Sequence, residues 1–487
     1  MGQTLLIDLY YLTPELILFL GAMFLLMWGV FSSNTSSMYK KNLSLISKGV
    51  IVLSIYTMCE SDHEGKLFGE LILNNAFTEF VKILILLSGL GVSMMMWPSK
   101  ENKTYAFELH VLMLLSMGGM MIMVSANSLI SLFIGMEIMS LPLYIMAASD
   151  RDKSISTEAG IKYFILGSLS TGIFLFGSAL VYGFTGTLDF TQIDVYFTSV
   201  SDGSSSIPLG FLVGLIFIII SFCFKISAAP FHMWTPDVYQ GSPTVITAFF
   251  SSAPKIAGIA IFLRLLLEPF YNLADQWQQI IIFVSAASML VGSLGAIMQN
   301  NFKRLLAYSS IGHIGFALVG LASTEDEGLV GIIIYMVIYL TMTLSAFACL
   351  LMVKRDGHNC EEIKDLSGIS RTHPTLALIL AIIMLSMAGI PPLAGFFAKF
   401  YILIPAIKKE MYTLAILAIM ASLISAYYYL KIVKVMYFDE SQKKNDAINS
   451  PALITVALAG AAFNVFYIVA PTPLINMVSK AAAVLFN

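Results

Sequence analysis

The chain has 487 residues, of which 58% are hydrophobic and only 12% charged, with a mean hydropathy of +0.83 and a formal net charge of −3. Soluble domains carry about 25% charged residues, so a chain this long and this apolar cannot cover itself with a polar surface. A soluble enzyme, a nucleic-acid binder and a disordered protein are excluded. The four scattered cysteines (Cys59, Cys223, Cys349, Cys360) form neither a disulfide framework nor an iron–sulfur or zinc spacing.

An apolar helix of about 20 residues crosses the roughly 30 Å hydrocarbon core. Fourteen such stretches are expected in chain order, near 12–31, 43–58, 77–97, 107–125, 127–148, 158–184, 207–233, 243–269, 277–298, 303–322, 328–353, 375–406, 411–437 and 451–470. Runs such as GFLVGLIFIIISF (210–222) do not alternate, which excludes a β-barrel. The expected fold is therefore an all-α polytopic membrane protein. Residues 1–31 lack a basic leading segment and read as the first helix rather than a signal peptide. The largest hydrophilic stretches, 185–206 and 354–374, leave no room for a nucleotide-binding or redox domain.

With an even number of spans both termini share one side. Of the 27 lysines and arginines, seventeen flank the opposite side, five the terminal side, and five lie within spans. Positive charge collects on the cytoplasmic side, so the termini should face outward, with the acidic loops 61–70 and 323–328.

Ionisable side chains in mid-membrane are costly and usually mark ion pathways. Glu137 (SLFIGMEIMSLPLY) lies about ten residues from either end of span five, too deep to reach water. Lys225 (FCFKISAAPFHMWTPD) stands five residues before Pro230, where proline opens the helix and frees carbonyls. Lys255 follows Pro254 in span eight, and Lys399 follows Pro391 and Pro392 in span twelve. Breaks in spans seven and twelve, five helices apart, suggest two five-helix repeats, spans 4–8 and 9–13, the second inverted because each holds an odd number of helices. The expected units are a three-helix segment 1–106, the repeats 107–270 and 271–437, and a C-terminal segment 438–487. One detail departs from strict symmetry: Lys225 precedes its break, whereas Lys399 follows its own.

A buried Glu137–Lys225 pair would hold the lysine's proton, and its separation would favour release toward Lys255. The lack of arginine at these sites fits, since arginine stays protonated. Lys162, near the start of span six, fits flank snorkelling and a relay role equally. Lys82, near the end of span three, reads as a snorkelling lysine. His313 (SSIGHIGFALVG) could bridge a relay between Lys255 and Lys399 or be a hydrogen-bonded core histidine. His232 and Asp237 are expected to stabilise the span-seven break, and His110 to be structural.

Six segments, GMEIMSLPLYIMAAS (135–149), STEAGIKYFILGSLSTG (156–172), FKISAAPFHMWTPDVYQGSPT (224–244), APKIAG (253–258), FKRLLAYSSIGHIGFALVG (302–320) and AGIPPLAGFFAKFYIL (388–403), resemble the antiporter-like membrane subunits of respiratory complex I, the proton-pumping NADH:quinone oxidoreductase. The group resembled is called subunit 2 in mitochondria and N in bacteria. The resemblance implies fourteen helices, two inverted repeats with helices seven and twelve broken, and a proton path through Glu137, Lys225, Lys255 and Lys399, with a further lysine at Lys162. It implies a subunit of an enzyme with no cofactor on this chain; NADH, flavin, iron–sulfur clusters and quinone would belong to partner subunits. Expected neighbours are a subunit-4 homologue, a small potassium-antiporter-like subunit and lipids, with no nucleic acid. Subunit 4 usually has glutamate at the Lys399 position, and subunit 5 carries a long lateral C-terminal helix; neither fits. The membrane would be the mitochondrial inner membrane or the bacterial plasma membrane, with the termini on the intermembrane-space or periplasmic side. The alternatives are a subunit of a multisubunit sodium/proton antiporter, or a structural membrane spacer.

Overall fold

The computed structural model describes residues 2–31, 37–60, 64–97, 107–202, 207–355, 358–440, 446 and 450–485. The flanking cations Lys100, Lys103, Lys443 and Lys444 lie outside the described residues. Twelve described helices are long and apolar enough to cross a membrane, and two shorter apolar ones, Pro374–Ala388 and Pro451–Phe466, complete the expected set. In order the spans are Thr13–Phe31, Ser37–Glu60, Ala76–Met95, Phe107–Ser125, Leu129–Ala147, Ser154–Thr185, Leu209–Ile226 continued by Thr235–Gly241, Thr244–Phe250 continued by Ala253–Leu267, Ala274–Ile297, Phe302–Ala322, Asp326–Met352, Pro374–Ala388 continued by Ala394–Lys408, Tyr412–Phe438 and Pro451–Phe466. They are called spans one to fourteen below.

Spans seven and twelve are interrupted as their prolines require. Span eight is interrupted as well, which the sequence reading did not anticipate. Ser251 and Ser252 separate its two pieces, and Pro254 opens the second. The hydrophilic stretch 185–206 is not merely a loop: Phe190–Asp202 is helical, because Phe190, Ile193 and Phe197 recur on one face and bury there. A short helix, Gly2–Tyr11, precedes span one, and Thr472–Ala483 follows span fourteen. Two small antiparallel hairpins, Gly65–Leu67 with Ile72–Asn74 and Lys354–Arg355 with His358–Asn359, are the described strand pairs.

Burial grades sharply across the bundle. Span eight is buried along its whole length and span ten almost so, whereas spans one and two are 33% buried and spans six and thirteen 39%. Those outer helices expose Phe24, Phe31, Leu169, Phe176 and Leu423, an apolar exterior suited to lipid or neighbouring helices.

Arg264 lies near the end of the expected span eight (243–269) and is one of the five terminal-side cations, but it is fully buried. Its guanidinium grips Glu268 with two bonds of 2.9 and 2.8 Å and donates to the carbonyls of Val124 (2.7 Å) and Ala126 (2.9 Å). It sits one turn from the end of span eight, close enough to the end of span four to pin the two together. Lys82 likewise does not snorkel. It is 1% exposed and pairs with buried Glu15 at 2.7 Å. Its place near a helix end suggested the surface, but the face it occupies turns inward toward span one.

Spans nine and ten approach closely enough to exclude a side chain at Gly292, where a Cβ would lie 2.7 Å from the Gly312 Cα and 2.8 Å from the Tyr308 carbonyl oxygen. Overpacking costs about 1–3 kcal/mol even where side chains can yield, and here the obstacle is backbone. Gly292→Leu is therefore expected to lower the amount of assembled, folded subunit by more than half in detergent extracts.

Candidate functional site

The site is built on the broken helices. Span seven runs to Ile226, and Ser227 then takes the left-handed conformation (φ 63°) before the Ala229–Pro230 peptide. Span twelve runs to Ala388, Gly389 turns left-handed (φ 85°), and Pro391–Pro392 follow. In both, the left-handed residue stands three positions before the proline. Each break leaves helix carbonyls without their usual partners, which inside a membrane must be satisfied from within the protein.

Two lysines take up the carbonyl of the last helical residue. Lys255 donates to Ile226 O at 2.8 Å, and Lys399 donates to Ala388 O at 3.0 Å. This removes the apparent asymmetry in the sequence. By contact, the partner of Lys399 in the first half is Lys255 rather than Lys225. By position the residue seven after Pro230, matching Lys399 seven after Pro392, is Asp237. Other groups finish the repair: Trp234 Nε1 donates to Phe224 O (3.0 Å), Ala229 N donates to Ser288 Oγ (2.8 Å), and Gly395 N donates to Ser386 Oγ (3.0 Å).

Lys255 and Lys399 are 1% and 7% exposed. Lys255 stands 5.6 Å from the Trp234 ring centre and Lys399 5.0 Å from that of Phe316, both within cation–π range. Lys399 also donates to Ser422 Oγ in span thirteen at 2.8 Å.

Glu137 and Lys225 do not form the expected ion pair. Lys225 donates to Ser140 Oγ at 2.8 Å, and Ser140 in turn donates to Met136 O. Glu137 accepts from Thr171 Oγ1 of span six at 2.8 Å and is half-buried at the flank of the chain. Glu137 and Ser140 are three residues apart on one face of span five, so the lysine amine lands one step along the helix from the carboxylate. The two groups are neighbours through a hydroxyl position, not direct partners.

His313 contacts neither lysine by hydrogen bond. Its Nδ1 meets Tyr335 OH at 2.5 Å and its Nε2 meets Tyr429 OH at 3.2 Å, while Tyr429 also bonds Ser309, and Tyr339 donates to Ser310 at 3.0 Å. His313, Phe316, Tyr429 and Lys399 line one small cavity, so the histidine and the lysine face the same space. The tyrosines were missed in sequence because an aromatic hydroxyl in an apolar helix looks like core. The available signal was Tyr335 and Tyr339 at helical spacing in span eleven.

Lys162 lies apart from this interior row. Its side chain is 41% exposed and it pairs with Glu158 and Asp237, both at 2.7 Å; Arg304 joins Asp237 at 2.7 Å. Asp237 thus ties spans six and ten to the second piece of span seven, the stabilising role expected of it. Nearby, Lys303 pairs with Glu361 at 2.7 Å and donates to Ser242 O. His232 is half-buried beside Pro230, and His110 is buried in span four with its Nδ1 unpartnered among the described residues.

A family model described as NADH:quinone oxidoreductase/Mrp antiporter, transmembrane, matches residues 126–425. The chain is 45% identical over 487 residues to NADH-quinone oxidoreductase subunit N 1 of Rhizobium meliloti (strain 1021), covering all of both chains. Its fold is similar to a chain of respiratory complex I from Thermus thermophilus with bound aureothin, with TM-score 0.79, 28% identity, and coverage of 95% and 98% of the two chains. It is also similar to a chain of the Mrp complex from Dietzia sp. DQ12-45-1b, with TM-score 0.83, 20% identity and 98% of both chains covered; that likeness is one of fold alone.

The left-handed position at Gly389 supplies a direct test of the break. A non-glycine residue there costs roughly 1–2 kcal/mol, and a Cβ would meet Lys399 Nζ and Cδ at 3.1 Å. Gly389→Ala is expected to lower the thermal midpoint of the purified assembly by several degrees. Gly183→Ala in span six, where a Cβ meets nothing within 4 Å, should leave it unchanged.

Proposed function

Because this chain belongs to the subunit N family of the proton-translocating NADH-quinone oxidoreductase, we propose that its protons move along Glu137, Lys225, Lys255 and Lys399, with His313 and its tyrosines linking into the Lys399 end and Lys162 at the rim. The chain is an antiporter-like, multi-pass membrane subunit of respiratory complex I, and it serves proton translocation within an oxidoreductase assembly of membrane subunits.

The observation that carries the path is the capture of a broken-helix carbonyl by Lys255 and by Lys399. A lysine ammonium has three donors, and Lys399 uses two of them, on Ala388 O and Ser422 Oγ. A neutral amine keeps two N–H bonds, enough for both partners, and gains a lone pair. Lys399 can therefore give up and recover a proton without abandoning the backbone it supports. Lys225, bonded to a rotatable serine hydroxyl, can do the same beside Glu137.

Glu137 at the flank of the chain suits exchange with an adjoining subunit, for which a small potassium-antiporter-like subunit and a subunit-4 homologue are the proposed neighbours. NADH, flavin, iron–sulfur clusters and quinone are proposed to reside on partner subunits. The segments 107–270 and 271–437 are read as the two inverted repeats, between 1–106 and 438–487. The Mrp-type reading is supported by a family model common to both and by fold likeness at 20% identity, whereas 45% identity over the whole chain favours complex I. A passive spacer would have no use for four ionisable groups held in mid-membrane.

Both termini are proposed to face the periplasm of a bacterial plasma membrane. Arg264 and Lys303 are both buried and drop out from opposite sides, so the charge imbalance is preserved. Positions 61 and 441 lie outside the described residues, but Cys59 and Glu440 beside them are exposed. In intact cells an impermeant maleimide should modify Cys59 and spare Glu440→Cys; the reverse pattern would invert the orientation.

Proton transfer at Lys399 is tested by Lys399→Arg, which keeps charge and donors but does not release its proton. Protons translocated per quinone reduced, in reconstituted assemblies, are expected to fall at least about threefold. Glu137→Ala should lower quinone reduction and pumping together, and Glu137→Asp should retain part of both. Wild-type pumping in Lys399→Arg, with assembly intact, would remove Lys399 from the path.

A further inference from the structure

We propose that the buried Glu15–Lys82 pair is a second protonatable station of this subunit, joined to Lys255 across the contact between spans three and eight. The inference rests on reading Lys255 as a proton carrier. The pair is unusual on three counts. Both side chains are only 2% exposed, with Lys82 Nζ 2.7 Å from Glu15 Oε1. Neither carboxylate oxygen has a hydrogen-bond partner among the described residues, and Oε2 has no ion-pair contact either. Span three, which carries Lys82, reaches the break of span eight: Ser88 Oγ donates to Ser252 Oγ at 2.8 Å, and Ser252 is one of the two residues between the helical pieces.

Helix rise sets the geometry. Lys82 lies six residues before Ser88, about 9 Å along span three, and Lys255 three residues after Ser252, about 4.5 Å along span eight. Spans three and eight run in opposite directions, so both displacements point toward the terminal side of the membrane. The levels of the two lysines thus differ by only about 4.5 Å. The Ser88–Ser252 hydroxyls lie one level deeper, between the same two helices.

The chemistry is a proton transfer without any other bond change. A proton leaving Lys255 Nζ adds to Oε2 of Glu15, so one N–H bond breaks and one O–H bond forms. The carboxyl is then neutral and Lys82 is left as a buried ammonium without its counter-charge, the arrangement a low-dielectric site tolerates least. Loss of a proton from Lys82 toward the terminal side restores neutrality, and return of the carboxyl proton to the amine re-forms the pair. A merely structural role would need none of this, since well-packed apolar residues replace buried ion pairs at little or no cost in stability.

The experiment uses the whole complex reconstituted in vesicles, with protons translocated per quinone reduced normalised to assembled complex. Glu15→Leu/Lys82→Met removes both charges together, and Lys82→Arg keeps the pair while blocking proton release. Both are expected to translocate at least about twofold fewer protons per quinone. A wild-type ratio in the double variant overturns the proposal and makes the pair structural. If the double variant does not assemble, a wild-type ratio in Lys82→Arg overturns it. Lys399→Met, measured alongside, separates the two readings. Lost pumping there with wild-type pumping in the Glu15 and Lys82 variants rejects this station alone. Wild-type pumping in all of them rejects the central path as well.

Discussion

Inside hydrocarbon a helix cannot be interrupted without leaving backbone carbonyls that water is not there to satisfy, each costing several kcal/mol. Prolines impose that situation on this chain at Pro230 and Pro392, and side chains resolve it. The Ile226 and Ala388 carbonyls are held by lysine amines, and Phe224 O by an indole N–H. The same two lysines would be intolerable as unpartnered charges in the core of a fully buried bundle. Break and lysine therefore depend on one another. The carbonyl gives the amine a polar partner where none would otherwise exist, and the amine lets the helix stay open where a membrane helix ought to close. Any change in the protonation of Lys255 or Lys399 is felt directly by the backbone of spans seven and twelve.

The two halves use this device with different chemistry at one backbone position. Seven residues beyond the proline, span twelve presents Lys399 to the interior, whereas span seven presents Asp237 to Lys162 and Arg304. The first break is thus anchored at its far end by an ion network that also reaches Gln240. Close by, Lys303 holds Glu361 and the Ser242 carbonyl. The second break has its lysine bonded to Ser422 of span thirteen instead, a helix that is mostly exposed along its outer face. The first half is fixed at its rim; the second keeps its hydrogen-bonding freedom in the interior.

Much of this was legible in the sequence because charge is so rare in it. Glu137, Lys225, Lys255 and Lys399 stand out against apolar surroundings, and Pro230 and Pro391–Pro392 mark two breaks without any knowledge of packing. What failed did so for lack of rotation and depth. Lys82 sits near a helix end, and only the orientation of span three decides that it meets Glu15 rather than water. Arg264, near the end of the expected span eight, counts as a flanking cation in sequence, though its reach lets it pin two helix ends from within. The break in span eight lay hidden in Ser251–Ser252–Ala253–Pro254, where the proline sits at the permitted start of a helix and sends no signal of an interruption before it. Ser140 shows the same limit for the Glu137–Lys225 pair. Sequence places the two charges at a common depth, but which atom the amine meets depends on a single turn of span five.

Lys162 and Lys303 take part in fixed ion networks at the rim, but in the interior the choice between arginine and lysine follows the task. Arg264 forks onto Glu268 and two carbonyls, and Arg304 joins Asp237 to Gln240; both fix elements in place with several donors at once. A guanidinium suits that work because it keeps its charge and its planar fork under all conditions a protein meets. At the helix breaks the cation is lysine, with one or two bonds and a proton that can leave. Lys82 falls on the lysine side of this division. Its partner Glu15 could have been held more firmly by an arginine fork, which would also have occupied the idle Oε2. A pair selected for rigidity alone would be expected to use that option. The pair present instead leaves an acceptor open and keeps a dissociable proton, in a helix that touches the break of span eight.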